Sequence, residues 1–183
     1  MNDPFAIINE LLRKLAELQS QGMLRFLLIG GYGLEAHAIQ RDTRDIDFLI
    51  ATESTPLVET ILFGLGYERE DLTSLCGNYK HPFKDVIPVD LLLVTPATLD
   101  KLWNDRTPYV LAGQQVYTPS VPSYIALKLH AIKWNAKRFG KDANDIVRLM
   151  QENPQALDLD ELRDLCERFG PPGVFAKLEI LLS

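Results

Sequence analysis

The sequence is short of several things, and each shortage removes a class of protein. It carries two cysteines in 183 residues, Cys76 and Cys166, 90 positions apart. That spacing is neither a metal-ligand motif nor a disulfide scaffold, and it suits a reducing, cytoplasmic setting. No apolar run approaches the roughly 20 residues a membrane helix needs. The start, Met1-Asn2-Asp3-Pro4, has no basic n-region and no apolar h-region, so no secretory signal is expected. His37 and His81 form no metal-binding spacing, and no Ser/His/Asp or Cys/His nucleophile arrangement is present. Repeats, low-complexity tracts and long polar linkers are missing as well. Basic residues are outnumbered, 19 Lys+Arg against 25 Asp+Glu, for a formal net charge of −6. Such a chain is a poor non-specific coat for nucleic acid, although a local basic cleft remains compatible with it.

What is present is a globular composition, 46% hydrophobic and 24% charged, with enough chain for one real core. Phe5, Ile8, Leu11, Leu12, Leu15 and Leu18 make an amphipathic helix over Pro4 to Ser20. Phe26–Ile29 reads as a strand running into Gly30-Gly31, followed by a short helix over about Tyr32 to Ile39. Asp45–Ile50 reads as a second strand, Thr55 to Gly64 as a helix, and Tyr67 to Phe83 as a hairpin with Gly77-Asn78 as its turn. Val86 to Val94 is a third, buried strand. Thr95 to Trp103 is a short helix, and Tyr109 to Tyr117 a hairpin turning at Ala112-Gly113. Beyond Thr118 the pattern becomes helical, at about 122–139, 141–151, 158–169 and 171–182. The expected organisation is an α/β part over 1–118 and a helical part over 119–183 packed on it.

The chemistry concentrates between Leu28 and Ile50. Side chains i and i+2 of a strand share a face. Asp45 and Asp47 therefore project together, while Ile46, Phe48 and Ile50 enter a core. Two like charges on one face repel unless a cation separates them, and Mg²⁺ takes oxygen ligands from one or two carboxylates and completes its shell with phosphate oxygens. Asp90 sits inside the apolar run Val86–Leu93, where an acid needs a partner. If its strand lies beside that of Asp45, three carboxylates converge, the minimum for two-metal phosphoryl transfer.

Gly30-Gly31, thirteen further residues, Asp45-Ile46-Asp47-Phe48 and the later Asp90 together resemble the nucleotidyltransferase superfamily of the DNA polymerase β-like fold. The lead-in Arg41-Asp42-Thr43-Arg44 resembles the Arg-x-Thr of bacterial minimal and toxin-type members, the abortive-infection toxin group among them. The resemblance is clearest over residues 24–94 and weaker through Leu127–Ala131 and Gly140–Asp142. It implies an α/β (α+β) fold: a polymerase β-like mixed sheet with flanking helices and a helical C-terminal part. It implies that Gly30 and Gly31 hold the triphosphate and that Asp45, Asp47 and Asp90 bind two Mg²⁺ ions, Asp90 also helping to deprotonate the attacking hydroxyl. Arg41, Thr43, Arg44, Lys128 and Asp142 fall on the nucleotide side, Lys128 resembling the C-terminal-helix lysine that contacts NTP phosphates. The implied reaction moves NMP from an NTP to a hydroxyl of tRNA, protein or a small molecule such as an aminoglycoside. The toxin-like features imply an antitoxin partner.

Two alternatives compete. Gly31-Tyr32-Gly33-Leu34-Glu35-Ala36 also fits the Gly-x-Gly-x-x-Ala fingerprint of a Rossmann dinucleotide binder. The acids, however, come at the start of the second strand rather than its end, and no regular strand–helix alternation follows. A catalytically silent nucleotide-binding module on the same fold is the other alternative. In the tail, Ile125, Leu129, Ile132, Ala136 and Phe139 share a helical stripe with Lys128 at its border. Asp142 is well placed to cap the next helix. Five basic residues and no acid lie from Lys128 to Lys141, and Arg41, Arg44, Arg69, Lys80 and Lys84 add positive charge to the first part.

Overall fold

Runs of alternating and continuous apolar residues become strands wherever they can be buried on at least one face, and that condition organises the first part of the chain. The computed structural model describes residues 4–182. The opening Met1–Asp3 of the leader reading lies outside them. The elements follow in order: α1 (Pro4–Ser20), β1 (Phe26–Ile29), α2 (Gly30–Glu35), β2 (Ile46–Ala51), α3 (Thr55–Gly64), β3 (Glu68–Leu72) and β4 (Cys76–Lys80). Then come β5 (Val89–Val94), α4 (Pro96–Asn104), β6 (Thr107–Leu111), β7 (Gln114–Thr118), α5 (Val121–Trp134), α6 (Phe139–Glu152), α7 (Leu159–Phe169) and α8 (Val174–Leu182). By contact the chain divides into two compact units. Among the described residues, the first runs to Ala36 and resumes over Gln40–Pro119; the second comprises His37–Ile39 and the chain from Ser120 onward.

The first unit is a mixed α/β structure. Its five-stranded sheet has the order β1-β2-β5-β4-β3, and β6 and β7 form a separate hairpin. Only the β2–β5 pair is parallel; β1–β2, β5–β4 and β4–β3 are antiparallel. One face of the sheet is the core. Phe26 and Leu28, Ile46, Phe48 and Ile50, Val89, Leu91 and Leu93 are buried there with Leu11, Leu12 and Leu15 of α1 and Val58 and Leu62 of α3. Phe26 meets Phe48 edge-on at 5.5 Å between ring centroids. Alternation then sends Asp47, Asp90 and Asn78 to the opposite face.

Several boundaries differ from the sequence reading, each for a local reason. The helix after Gly30-Gly31 begins at the glycines and ends at Glu35, because Ala38 takes a positive φ of 62° and the chain is diverted into the second unit over His37–Ile39. The β3–β4 turn is not at Gly77-Asn78. It lies at Thr73–Leu75, where Thr73 N donates to Cys76 O at 2.8 Å and Cys76 N donates to the Thr73 hydroxyl at 3.0 Å. Gly77 and Asn78 are inside β4, opposite Leu91 and Asp90. The dinucleotide-binding alternative fails here as well. Its strand–helix–strand unit needs parallel strands, and β1 pairs antiparallel with β2.

The second unit is helical. α5 stops at Trp134, because Asn135 leaves the helical region (φ −142°, ψ 95°) and its side chain accepts from Lys137 N to start a 3₁₀ turn, Ala136–Arg138. Gly140 therefore sits inside α6 rather than ending a helix. Asp142 is one turn into α6, not its cap. Ile125, Leu129 and Ile132 are buried as a stripe, whereas Ala136 and Phe139 fall beyond the break and leave it. α7 opens with a capping box in which Asp158 and Glu161 each accept from the other's backbone N–H, at 2.8 Å both ways. The buried His37 ring packs edge-on to Tyr124 at 5.8 Å, and Asn153 donates to the His37 carbonyl. Among the described residues no helix is long and apolar enough to cross a membrane.

Candidate active site

The acids meet through sheet register. Asp47 and Asp90 are direct partners on the parallel strands β2 and β5. Neighbouring strands lie about 4.8 Å apart and lateral partners share a face, so the two carboxylates stand side by side. The same row continues in both directions, to Ile29 on β1 and to Asn78 on β4. All three polar members of the row are half-buried.

Asp45 and Asp90 are each held by an uncharged donor, and Asp47 packs against a glycine. Asp47 fits against the backbone of Gly30, and a Cβ at Gly30 would collide with its carboxylate. Gly30 also takes a φ of +64°, a conformation that glycine adopts without strain. Asp45, one residue before β2, accepts from the Thr43 hydroxyl at 2.8 Å. That hydroxyl occupies the space beside Gly31, where a Cβ would come within 2.6 Å of Thr43 Cβ. Asp90 Oδ1 accepts from Asn78 Nδ2 at 2.8 Å. The double glycine is thus a cradle for the acidic triplet: one glycine accommodates Asp47, the other the threonine that holds Asp45.

Around this row, α2 is tied down by the hairpin. Tyr109 Oη donates to Glu35 Oε2 at 3.0 Å, and the Thr118 hydroxyl donates to Gly33 O at 3.3 Å. Tyr32 is half-buried. Its phenol is pushed above the ordinary tyrosine value by burial first, and then by the negative charges of Glu35 and Asp45. Of the basic residues read from the lead-in, Arg41 and Arg44 lie in the irregular stretch between α2 and β2, Arg44 exposed and Arg41 half-buried.

Lys128 and Asp142 belong to the second unit and meet there. Lys128 Nζ lies 2.7 Å from Asp145 Oδ2 and 3.3 Å from Asp142 Oδ1, its side chain 8% exposed. Arg138 Nε reaches the other Asp142 oxygen at 2.7 Å. Two buried acids and two cations balance one another within the helical unit.

Among the described residues no three His, Cys, Asp or Glu side chains are grouped, as they stand, to hold a metal ion. The donor set of the sheet still has hard-cation chemistry. It offers two half-buried carboxylates in register, and neither Asp45 nor Asp90 is ion-paired to a basic side chain among the described residues. The residues that could hold a divalent ion are Asp47 and Asp90, with Asp45 beside them in sequence. Sequence reasoning missed Asn78, because Gly77-Asn78 was read as a turn. The signal that could have found it is strand alternation, since Tyr79 is the core-facing neighbour.

Against known families, residues 7–171 match the one described as "Uncharacterised nucleotidyltransferase". The chain belongs to this family. A nucleotidyltransferase with this arrangement is also similar in fold to solved structures. ANT(2'')-Ia, described as an antibiotic-resistance factor, superposes with a TM-score of 0.64 at 16% identity, covering 94% of this chain and 95% of that one. The lincosamide antibiotic adenylyltransferase LnuA gives a TM-score of 0.52 at 16% identity, covering 76% and 94%. An antigenic nucleotidyltransferase-like protein from Paracoccidioides brasiliensis gives 0.52 at 19% identity, covering 93% of each chain. At these identities the likeness is one of fold. No curated protein matches the sequence.

Proposed function

We propose that this nucleotidyltransferase transfers a nucleoside monophosphate from an NTP to a hydroxyl acceptor in a Mg²⁺-dependent reaction. The observation that carries the reading is the lateral pairing of Asp47 with Asp90, beside a glycine whose missing side chain makes room for Asp47. In this reading Asp45, Asp47 and Asp90 are the metal-holding residues. When bound, Mg²⁺ supplies charge neutralisation at the phosphates. Asp90 takes the proton of the acceptor hydroxyl. The acceptor oxygen bonds to the α-phosphorus, the bond from that phosphorus to the bridging oxygen breaks, and pyrophosphate leaves with the electron pair. Gly30 and Gly31, with Thr43, Arg41 and Arg44, orient the triphosphate. Lys128 and Asp142, already balanced by Asp145 and Arg138, act in this reading by holding the helical unit together.

A small-molecule hydroxyl is the acceptor class we favour, because the fold likeness to ANT(2'')-Ia spans nearly the whole of both chains. ATP is then the first nucleotide to try, the likeness to an adenylyltransferase supporting it. A toxin acting on tRNA or protein with an antitoxin partner, in the cytoplasm, is the second reading. It rests on the Arg41-Asp42-Thr43-Arg44 lead-in, whose threonine holds Asp45. The test is to incubate the protein with each α-labelled NTP, Mg²⁺ and, separately, aminoglycosides and lincosamides, total tRNA, or cell extract. The expected result is a labelled acceptor with release of pyrophosphate, lost in Asp47→Ala. No labelling with any NTP, together with no Mg²⁺–NTP binding, overturns the proposal.

A further inference from the structure

The row of polar side chains does not end at the acids. Asn78 stands directly opposite Asp90 on β4, as Asp47 does on β2, so Asp90 is flanked on both sides. The Asn78 side chain donates from Nδ2 to Asp90 Oδ1 at 2.8 Å. Asparagine is a poor strand former and this one is half-buried between the buried residues Gly77 and Tyr79, so local propensity does not account for it. The choice of an amide has a physical reason. A lysine or arginine at this position would restrain Asp90 equally well but would cancel its charge. A carboxylate would repel it. An amide N–H holds one oxygen and leaves the negative charge in place.

We infer that Asn78 is a positioning residue for the transfer reaction. Its amide pins Asp90 Oδ1 on the β4 side, so that Oδ2 is presented toward Asp47. Without that bond the Asp90 side chain can turn to another rotamer, and the orientation that faces Asp47 is no longer fixed. This inference rests on the reading that Asp90 works together with Asp47 in NMP transfer. It adds a fourth residue that no acidic motif would reveal.

The experiment compares wild type with Asn78→Ala, Asn78→Asp and Asn78→Gln, measuring NTP kcat and KM, Mn²⁺ affinity by calorimetry, and melting temperature. Outer partners of metal-holding groups commonly matter by about 10- to 100-fold in activity or metal affinity, and kcat is expected to fall on that scale in Asn78→Ala and Asn78→Asp. NTP KM stays unchanged, the melting temperature stays unchanged in Asn78→Ala and Asn78→Gln, Mn²⁺ binds Asn78→Ala more weakly, and Asn78→Gln, which keeps the donor, retains part of kcat. A merely space-filling residue predicts a different order, with the isosteric Asn78→Asp close to wild type. Wild-type kcat in Asn78→Asp overturns the inference. So does an equal loss in all three variants accompanied by a fall in melting temperature. Absence of transfer in wild type itself points instead to failure of the underlying reading, and in that case unchanged Mn²⁺ affinity in Asn78→Ala overturns the positioning role as well.

Discussion

Two sets of aspartates in this chain are treated in opposite ways. On the sheet, Asp45 and Asp90 are half-buried and restrained by a hydroxyl and an amide, and neither has a basic partner among the described residues. In the helical unit Asp142 and Asp145 are fully buried, and Lys128 and Arg138 answer their charges. An acid neutralised from within the fold is part of the fold. An acid held by neutral groups retains its charge for a ligand to meet. The partner's charge, more than the acid's own burial, separates the two sets.

The largest effect is expected at the sheet. Asp90→Asn should lower kcat about a thousandfold, the scale of losing a general base or a charge-stabilising group. Its melting temperature should not fall, since one of two facing charges is removed. A parallel loss of stability would put Asp90 in the same class as Asp142. Lys128→Met should do the reverse. Removing one partner of a buried ion pair typically costs about 3–5 kcal/mol, readable in urea denaturation, and adding Asp145→Asn should recover part of it. If Lys128→Met abolishes transfer and leaves stability alone, the lysine belongs to the nucleotide and the contrast collapses.

A smaller effect is expected at the cradle. Gly30→Ala forces a left-handed conformation costing about 1–2 kcal/mol and drives a methyl into Asp47. Stability and kcat should therefore fall together, unlike in Asp90→Asn. The smallest prediction sharpens the picture of the helical interior. Burial pushes the Cys166 thiol up to about 11, with Glu167 adding to the shift. At pH 8 a thiol reagent should modify the half-buried Cys76 in the folded protein and reach Cys166 only when denaturant is added. Rapid modification of both would mean that the helical unit opens readily.

Much of the candidate site was legible because its pattern is local. A strand before two glycines, and an acid pair alternating with Ile46 and Phe48, are properties of short windows. The amphipathic helix Pro4–Ser20 was legible for the same reason. Asn78 was not, because Gly-Asn reads as a turn until Thr73 is seen to supply the turn's hydrogen bonds. The break at Asn135 was missed too, since Gly140 was the more obvious punctuation, yet it is the asparagine that leaves the helical region.

The sequence by itself determined which residues alternate, which faces are apolar and where the acids lie along their strands, because periodicity acts between near neighbours. Only the tertiary structure decided that Asp90 stands beside Asp47 and Asn78 beside Asp90. Strand order and register are chosen by burying the faces of β1, β2, β5 and β4 together, and that choice is made between segments far apart in the chain. The same holds for Lys128: its place at the edge of an apolar stripe was written in α5, but the acids that receive its charge come from α6.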